Sequence, residues 1–222
     1  MLWAVVPAKL GPDAKRRLAP LLAPLDRSRL AEAMLRDVLT ALADARSLSG
    51  VAVVGRGRRL LELATSAGAL AIEERAARSL DEAVAEGVAA CVERGAHGVV
   101  IAMGDLPLLR PDEIDHLASA LPERGVAVAP SFDGTGTNLL AARPPGVMAT
   151  AFGPASLGKH RALARDAGLP LVECPLAGAA LDVDTPLDLA RLAASDRGRG
   201  EAVALVAALA ATSSAPSASH SR

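Results

Sequence analysis

The chain has 222 residues, a formal net charge of −1 with acids and bases interspersed, and 51% hydrophobic residues, yet only two Phe, one Trp and no Tyr. That length suits one domain with a large core, which has to be aliphatic and alanine-rich, and the charge pattern offers no polybasic face for nucleic acid. No run of about 18 uninterrupted apolar residues is available to span a membrane, and Cys91 and Cys174 fit neither a CxxC metal site nor a disulfide framework. A small-molecule ligand is the better default. The opening MLWAVVPAK has no basic region followed by a long apolar run, so a cytoplasmic protein with buried thiols is expected.

Residues 2–6 are an apolar run closed by Pro7, which reads as a first buried strand. It opens into AKLGPDAKRRLAPLL, a proline-punctuated loop carrying Lys9, Lys15, Arg16 and Arg17. Cations gathered at the mouth of a strand suit a phosphate, and they equally suit a solvated basic loop. Neither GxxxxGK[ST] nor GxGxxG is present, so any triphosphate here is held mainly by side chains. From Asp26 onward, Leu30, Met34, Val38 and Leu42 recur at helical spacing, with Leu35 and Leu39 widening the stripe into a long sheet-packing helix. Residues 51–54 read as a second strand, 60–67 as a helix ending at Gly68, and 69–72 as a third strand. Ser79 is the expected N-cap of the next helix, with Glu82 completing a capping box.

The stretch VVIAMGDLPLL follows. Five successive apolar residues, from Val99 to Met103, read as a strand buried on both faces, since a half-exposed strand would alternate. Asp105 comes just past its carboxyl end, where open α/β sheets place ligands, so it either initiates a turn or serves a cation. A helix is expected over residues 111–121 and a strand over 126–129. The alternation up to Val99 predicts right-handed βαβ crossovers and a largely parallel sheet.

The next loop, SFDGTGTN, precedes a further strand and reads two ways: backbone N–H groups presented to an anion, or a hairpin connection built on Asp-Gly. In FGPASLGKHRALARDAG, Ser156 caps a helix or binds phosphate at its start, and His160 reads first as a structural histidine and second as a general base. Residues 169–172 form a late strand. LDVDTPLDL then reads as an extended segment with Asp182 and Asp184 on one face, where they repel unless a cation sits between them. An alanine-rich helix over 201–211 and a polar, disordered tail complete the chain.

In this order, AKRRLAPLL, the GDLPLL turn, the DGTGTN loop, the FGxxS…H segment and LDVDTPLDL resemble the phospholactate/phosphoenolpyruvate guanylyltransferases of coenzyme F-420 biosynthesis, over residues 4–194. The resemblance implies a single-domain α/β nucleotidyltransferase sandwich of the glycosyltransferase-A-like type over residues 1–195. It also implies that the acceptor phosphate of phosphoenolpyruvate or 2-phospho-L-lactate attacks the α-phosphorus of GTP and releases pyrophosphate. Carried over residue by residue, Asp105, Asp182 and Asp184 bind Mg²⁺; Lys9, Lys15 and Arg17 face the nucleotide phosphates; Thr137, Gly153 and Ser156 contact the acid. Asp105 and Lys9 are the pair assigned to catalysis. The expected partners are these substrates, the transferase that passes the product to a deazaflavin acceptor, and a second copy in a homodimer. Two departures stand out: Arg16 replaces a small hydroxyl residue, and Asp81 replaces an Asn. Alternatives are a related nucleotidyltransferase with another phosphorylated acceptor, and a non-catalytic protein that binds GTP or phosphoenolpyruvate.

Overall fold

The apolar run before Asp105 is buried at every position from Gly98 to Ala102, and a strand covered on both faces needs neighbours on both edges and helices above and below. The computed structural model, which describes residues 1–75, 79–196 and 200–213, supplies both. Strands β1 (Leu2–Pro7), β2 (Gly50–Gly55), β3 (Leu70–Glu73), β4 (Gly98–Ala102), β5 (Gly125–Pro130), β6 (Thr137–Arg143) and β7 (Leu171–Glu173) form one sheet in the order β3-β2-β1-β4-β6-β5-β7. Only β6 runs antiparallel to its neighbours, β4 and β5.

Successive side chains along each strand enter opposite halves of the core. Ala4, Val6, Val53, Val100, Ala102, Ala127 and Ala129 join one cluster; Val5, Ala52, Val54, Val99, Ile101, Val126 and Val128 join the other, as the two-residue period of a strand dictates. Helices α1 (Pro24–Asp44), α2 (Arg58–Ser66) and α4 (Pro111–Ala120) close the first face, α3 (Leu80–Val92) and α5 (Ser156–Asp166) the second. The result is a three-layer α/β/α sandwich with a mostly parallel sheet. Ile101 is 2% exposed inside it. Ile101→Ala should destabilise the fold by about 2–5 kcal/mol, read as a lowered denaturation midpoint with an unchanged denaturant slope.

The alternation of helix and strand breaks between β5 and β6, and again toward the carboxyl end, where one helix is followed by a second. β5 passes directly into β6 through residues 131–136, so the Asp-Gly stretch does make a hairpin. Within LDVDTPLDL, the extended reading holds only to Thr185. Helix α6 (Pro186–Ala193) starts there, capped by the Thr185 hydroxyl on the Asp188 N–H and by the Asp188 carboxylate on the Thr185 N–H at 2.9 Å. The signal was a Thr-Pro-x-Asp capping box, which the short apolar count concealed. Helix α7 (Glu201–Ser213) packs on α1, with Ala202 and Val206 beside Met34 and Leu192. Most of the polar tail lies outside the described residues.

Candidate active site

All the acidic candidates lie at the edge of the sheet where the parallel strands end. Asp105 follows β4, and the Val183 N–H donates to its backbone carbonyl at 3.2 Å, which lays residues 182–184 alongside it. Val183 is fully buried while Asp182 and Asp184 are partly exposed, so the two carboxylates do share the outer face. Asn138, the second residue of β6, fastens this segment. Its amide donates to the Ala179 and Ala180 carbonyls at 2.9 and 3.0 Å and to the Asp182 carboxylate at 3.2 Å. Glu113 holds the approach from α4, accepting from the Gly178 N–H at 2.6 Å.

Lys15 enters this acidic edge from the cationic loop. Its ammonium donates to Asp105 at 2.5 Å and to Asp184 at 2.7 Å. Burial pushes the Lys15 pKa down, but the two carboxylates outweigh it and hold the group above its ordinary value. Asp182 is displaced upward by burial first and by the Asp105 charge second, against the Asn138 hydrogen bond. The backbone at Lys15 is left-handed, with φ 52°, a conformation that non-glycine residues occupy only when the surroundings impose it. Arg27 on α1 does so. Buried itself, it donates to the carbonyls of Pro12, Ala14 and Leu22, so three points of the loop are tied to one helix.

Three carboxylates against one ammonium form a hard, oxygen-only donor set that suits Mg²⁺ chemically. Among the described residues, no group of three acidic, histidine or cysteine side chains is drawn tightly enough to hold a metal as it stands. Lys15 occupies the place between Asp105 and Asp184, and would have to give way.

Two hollows meet at this bridge. One, of about 310 Å³, is lined by Lys9, Lys15 and Gly104; the other, of about 790 Å³, by Arg17, Thr137, Gly153, Ser156 and Asp182. Asp105 and Asp184 border both. The residues carried over as metal, nucleotide and acid contacts collect around one opening, with Lys9 and Lys15 on one side and the hydroxyls on the other. Arg17 lies with the hydroxyls, away from the two lysines. Arg16 turns outward to pair with Asp13.

The hydroxyl side is held from behind. Ser156 does not cap α5: its Oγ accepts from the Thr137 N–H at 2.9 Å, which joins the helix start to β6. Asp81 accepts from the Phe152 N–H at 3.1 Å and so braces the loop that carries Gly153. Asp133 is spent on its own turn, bonded to Ser131 and Thr135, which hold its pKa down to about 2. Sequence reasoning missed Asn138 and Arg27 as site-building residues. Each was visible as one polar residue within an apolar strand or helix stripe.

His160 is fully buried behind Thr137. Burial, aided by Lys159 and opposed by Asp81, lowers its pKa from 6.5 to about 4. Between those two values the unfolded chain binds a proton that the folded chain refuses, so the stability His160 contributes is complete above 6.5 and drains away as pH falls to 4. The melting temperature should therefore fall more steeply across that interval in the wild type than in His160→Asn. Parallel curves would mean that His160 is solvated.

A family model described as "Guanylyl transferase CofC like" matches residues 2–202. The phosphoenolpyruvate guanylyltransferase of Sphaerobacter thermophilus is 44% identical over 190 residues, 86% of this chain and 91% of that protein. The 2-phospho-L-lactate guanylyltransferase of Methanothermobacter thermautotrophicus is 33% identical over 189 residues, 85% of this chain and 82% of its own length. Among solved structures, a nucleotidyl transferase from Methanothermobacter superposes with TM-score 0.66 at 20% identity, covering 86% of this chain and 95% of that one; at that identity the likeness concerns the fold.

Proposed function

Because the chain belongs to the CofC-like guanylyl transferase family, we propose that it transfers GMP from GTP to a phosphorylated three-carbon acid, with phosphoenolpyruvate as first choice and 2-phospho-L-lactate as second. An oxygen of the acceptor phosphate forms a bond to the α-phosphorus of GTP, and the bond from that phosphorus to the bridging oxygen of pyrophosphate breaks. The acceptor phosphate is already anionic at neutral pH, so no side-chain base is required. The observation that carries this reading is the pair of hollows sharing Asp105 and Asp184, which Lys15 bridges from the smaller one. A lysine-lined compartment beside a hydroxyl-lined one supports a nucleotide phosphate chain meeting a smaller acid across a wall of carboxylates.

In this scheme Lys9 and Lys15 bind the leaving phosphates, where charge-assisted bonds are the strong ones. Thr137, Ser156 and the Gly153 backbone hold the acid, and Arg17 adds charge on that side. Asp105, Asp182 and Asp184 would hold Mg²⁺, which when bound neutralises charge at the phosphoryl group in transfer. The product passes to a transferase that uses a deazaflavin acceptor, in coenzyme F-420 synthesis. The relative of higher identity carries the phosphoenolpyruvate name, which favours that acid over phospholactate. A cytoplasmic setting agrees with two buried free thiols, Cys91 pushed up to about 11 by burial, and no described helix is long and apolar enough to cross a membrane.

The test is pyrophosphate release with phosphoenolpyruvate, 2-phospholactate and 3-phosphoglycerate against each nucleoside triphosphate, with the downstream transferase and deazaflavin present to trap the product. Release with GTP and one of these acids is expected. Preference for ATP, or no release with any acid, would overturn the proposal. The acid side can be probed at Gly153, whose φ of +102° suits glycine alone although the space around it is open. Gly153→Ala should therefore cost roughly 1–2 kcal/mol of local strain, appearing as a raised acceptor KM with the GTP KM unchanged.

A further inference from the structure

The buried imidazole of His160 has both ring nitrogens engaged. The Ala151 backbone N–H points at Nε2 from 3.0 Å, and Nδ1 lies 3.0 Å from the Thr137 hydroxyl oxygen. A backbone amide can only donate, so Nε2 has to carry the lone pair. The neutral ring then holds its single proton on Nδ1, and the atom facing that proton is Thr137 Oγ1. The polarity of the pair is thereby decided: the histidine donates and the threonine accepts. Thr137 must direct its own hydroxyl proton elsewhere, and its side borders the large hollow. Phe152 meets the ring edge-on at 5.0 Å and keeps it from turning over. With no exposed surface and no free nitrogen, His160 does not serve as a general base.

Ser156 is oriented the same way. Its oxygen accepts from the Thr137 N–H, so its proton too is available outward.

We infer that His160 is a positioning residue that fixes the Thr137 hydroxyl as a hydrogen-bond donor into the hollow, paired with Ser156, so that the site favours an acceptor-only group such as the carboxylate of the acid substrate. The inference rests on the reading of this hollow as the acid side. It also gives the neighbouring loop a double fastening: His160 holds residue 151 while Asp81 holds residue 152, which sets the approach to Gly153.

Two near-isosteric substitutions separate the ring nitrogens. In His160→Asn the amide nitrogen falls near Nδ1, keeping a donor for Thr137 and abandoning Ala151. In His160→Gln the amide reaches toward Nε2, keeping a partner for Ala151 and losing the donor. We expect the acceptor KM of His160→Asn to stay within about threefold of wild type and that of His160→Gln to rise about tenfold or more, the scale of one hydrogen bond to a charged group, with the GTP KM unmoved in both. In a Thr137→Val background the two should become equivalent. A merely structural histidine predicts the reverse, a higher acceptor KM in His160→Asn than in His160→Gln, persisting in that background, and this outcome would overturn the inference. A second readout needs no substrate: ¹⁵N shifts of the wild-type imidazoles, with His160 assigned by its loss in His160→Asn, should report an Nδ1–H tautomer. An Nε2–H tautomer or an imidazolium at neutral pH would overturn it. If no acid is turned over by the wild type, the proposed function falls, and the tautomer still decides the polarity of Thr137.

Discussion

Asp105→Asn is expected to lose about 10³-fold in the rate of pyrophosphate release at saturating GTP and Mg²⁺, roughly 4 kcal/mol of transition-state stabilisation, while remaining folded. The loss follows from position. Asp105 borders both hollows and accepts from Lys15 at 2.5 Å, so under the proposed function its charge would act where nucleotide and acid meet. The fold should survive because Asn keeps an oxygen for Lys15 and lifts a charge from Asp182, whose pKa is raised by burial and then by Asp105 itself. Asp182 should consequently ionise at lower pH in the variant. Melting curves recorded beside the kinetics separate the two roles: a variant with wild-type turnover, or one that simply unfolds, would make Asp105 structural.

The strands were legible because a run such as VVIAM has one low-energy use in a chain of this size, burial on both faces of a sheet. The long helix at Asp26 was equally plain from its stripe. What escaped depended on conformation at single residues. The antiparallel insertion of β6 follows from a short hairpin in place of a helical crossover, and the Asp-Gly signal allowed that without demanding it. The short helix after Thr185 rested on a capping box and two buried leucines, Leu189 and Leu192, too few for periodicity to register.

At the site, the carboxylates could be named because their positions follow from strand ends, but the partner of Lys15 could not. That contact requires a left-handed residue at position 15 and an arginine, Arg27, reaching back from α1. The left-handed backbone leaves no local pattern, and a basic residue on a helix stripe does not say what it reaches. His160 read first as a structural histidine, and its burial agrees: the helical turn places Lys159 and Arg161 outward and the ring inward against β6. What the sequence could not show is which hydroxyl the ring meets.

Lys15→Met should be the most revealing substitution in the cationic loop, because it removes the proposed phosphate ligand and the counter-charge of two acids together. With substrate, the loss of a charge-assisted contact to the leaving phosphates should lower kcat/KM about 10²-fold or more. Without substrate, Asp105 and Asp184 lose their shared cation. Breaking a fully buried pair costs about 3–5 kcal/mol, but the Asp184 side chain is 43% exposed, so solvent screening reduces the expected destabilisation to about 1–2 kcal/mol. Magnesium should then act differently on the two proteins. In the wild type a metal binding here would have to displace the Lys15 ammonium from between the carboxylates, whereas in Lys15→Met that place would be uncontested and the repulsion there would reward a cation. Titrating Mg²⁺ during thermal melts should raise the variant's melting temperature more steeply than the wild type's, while turnover stays low at every metal concentration. Equal magnesium responses would show that Lys15 does not compete with a metal. Wild-type kinetics in the variant would remove Lys15 from the phosphate site.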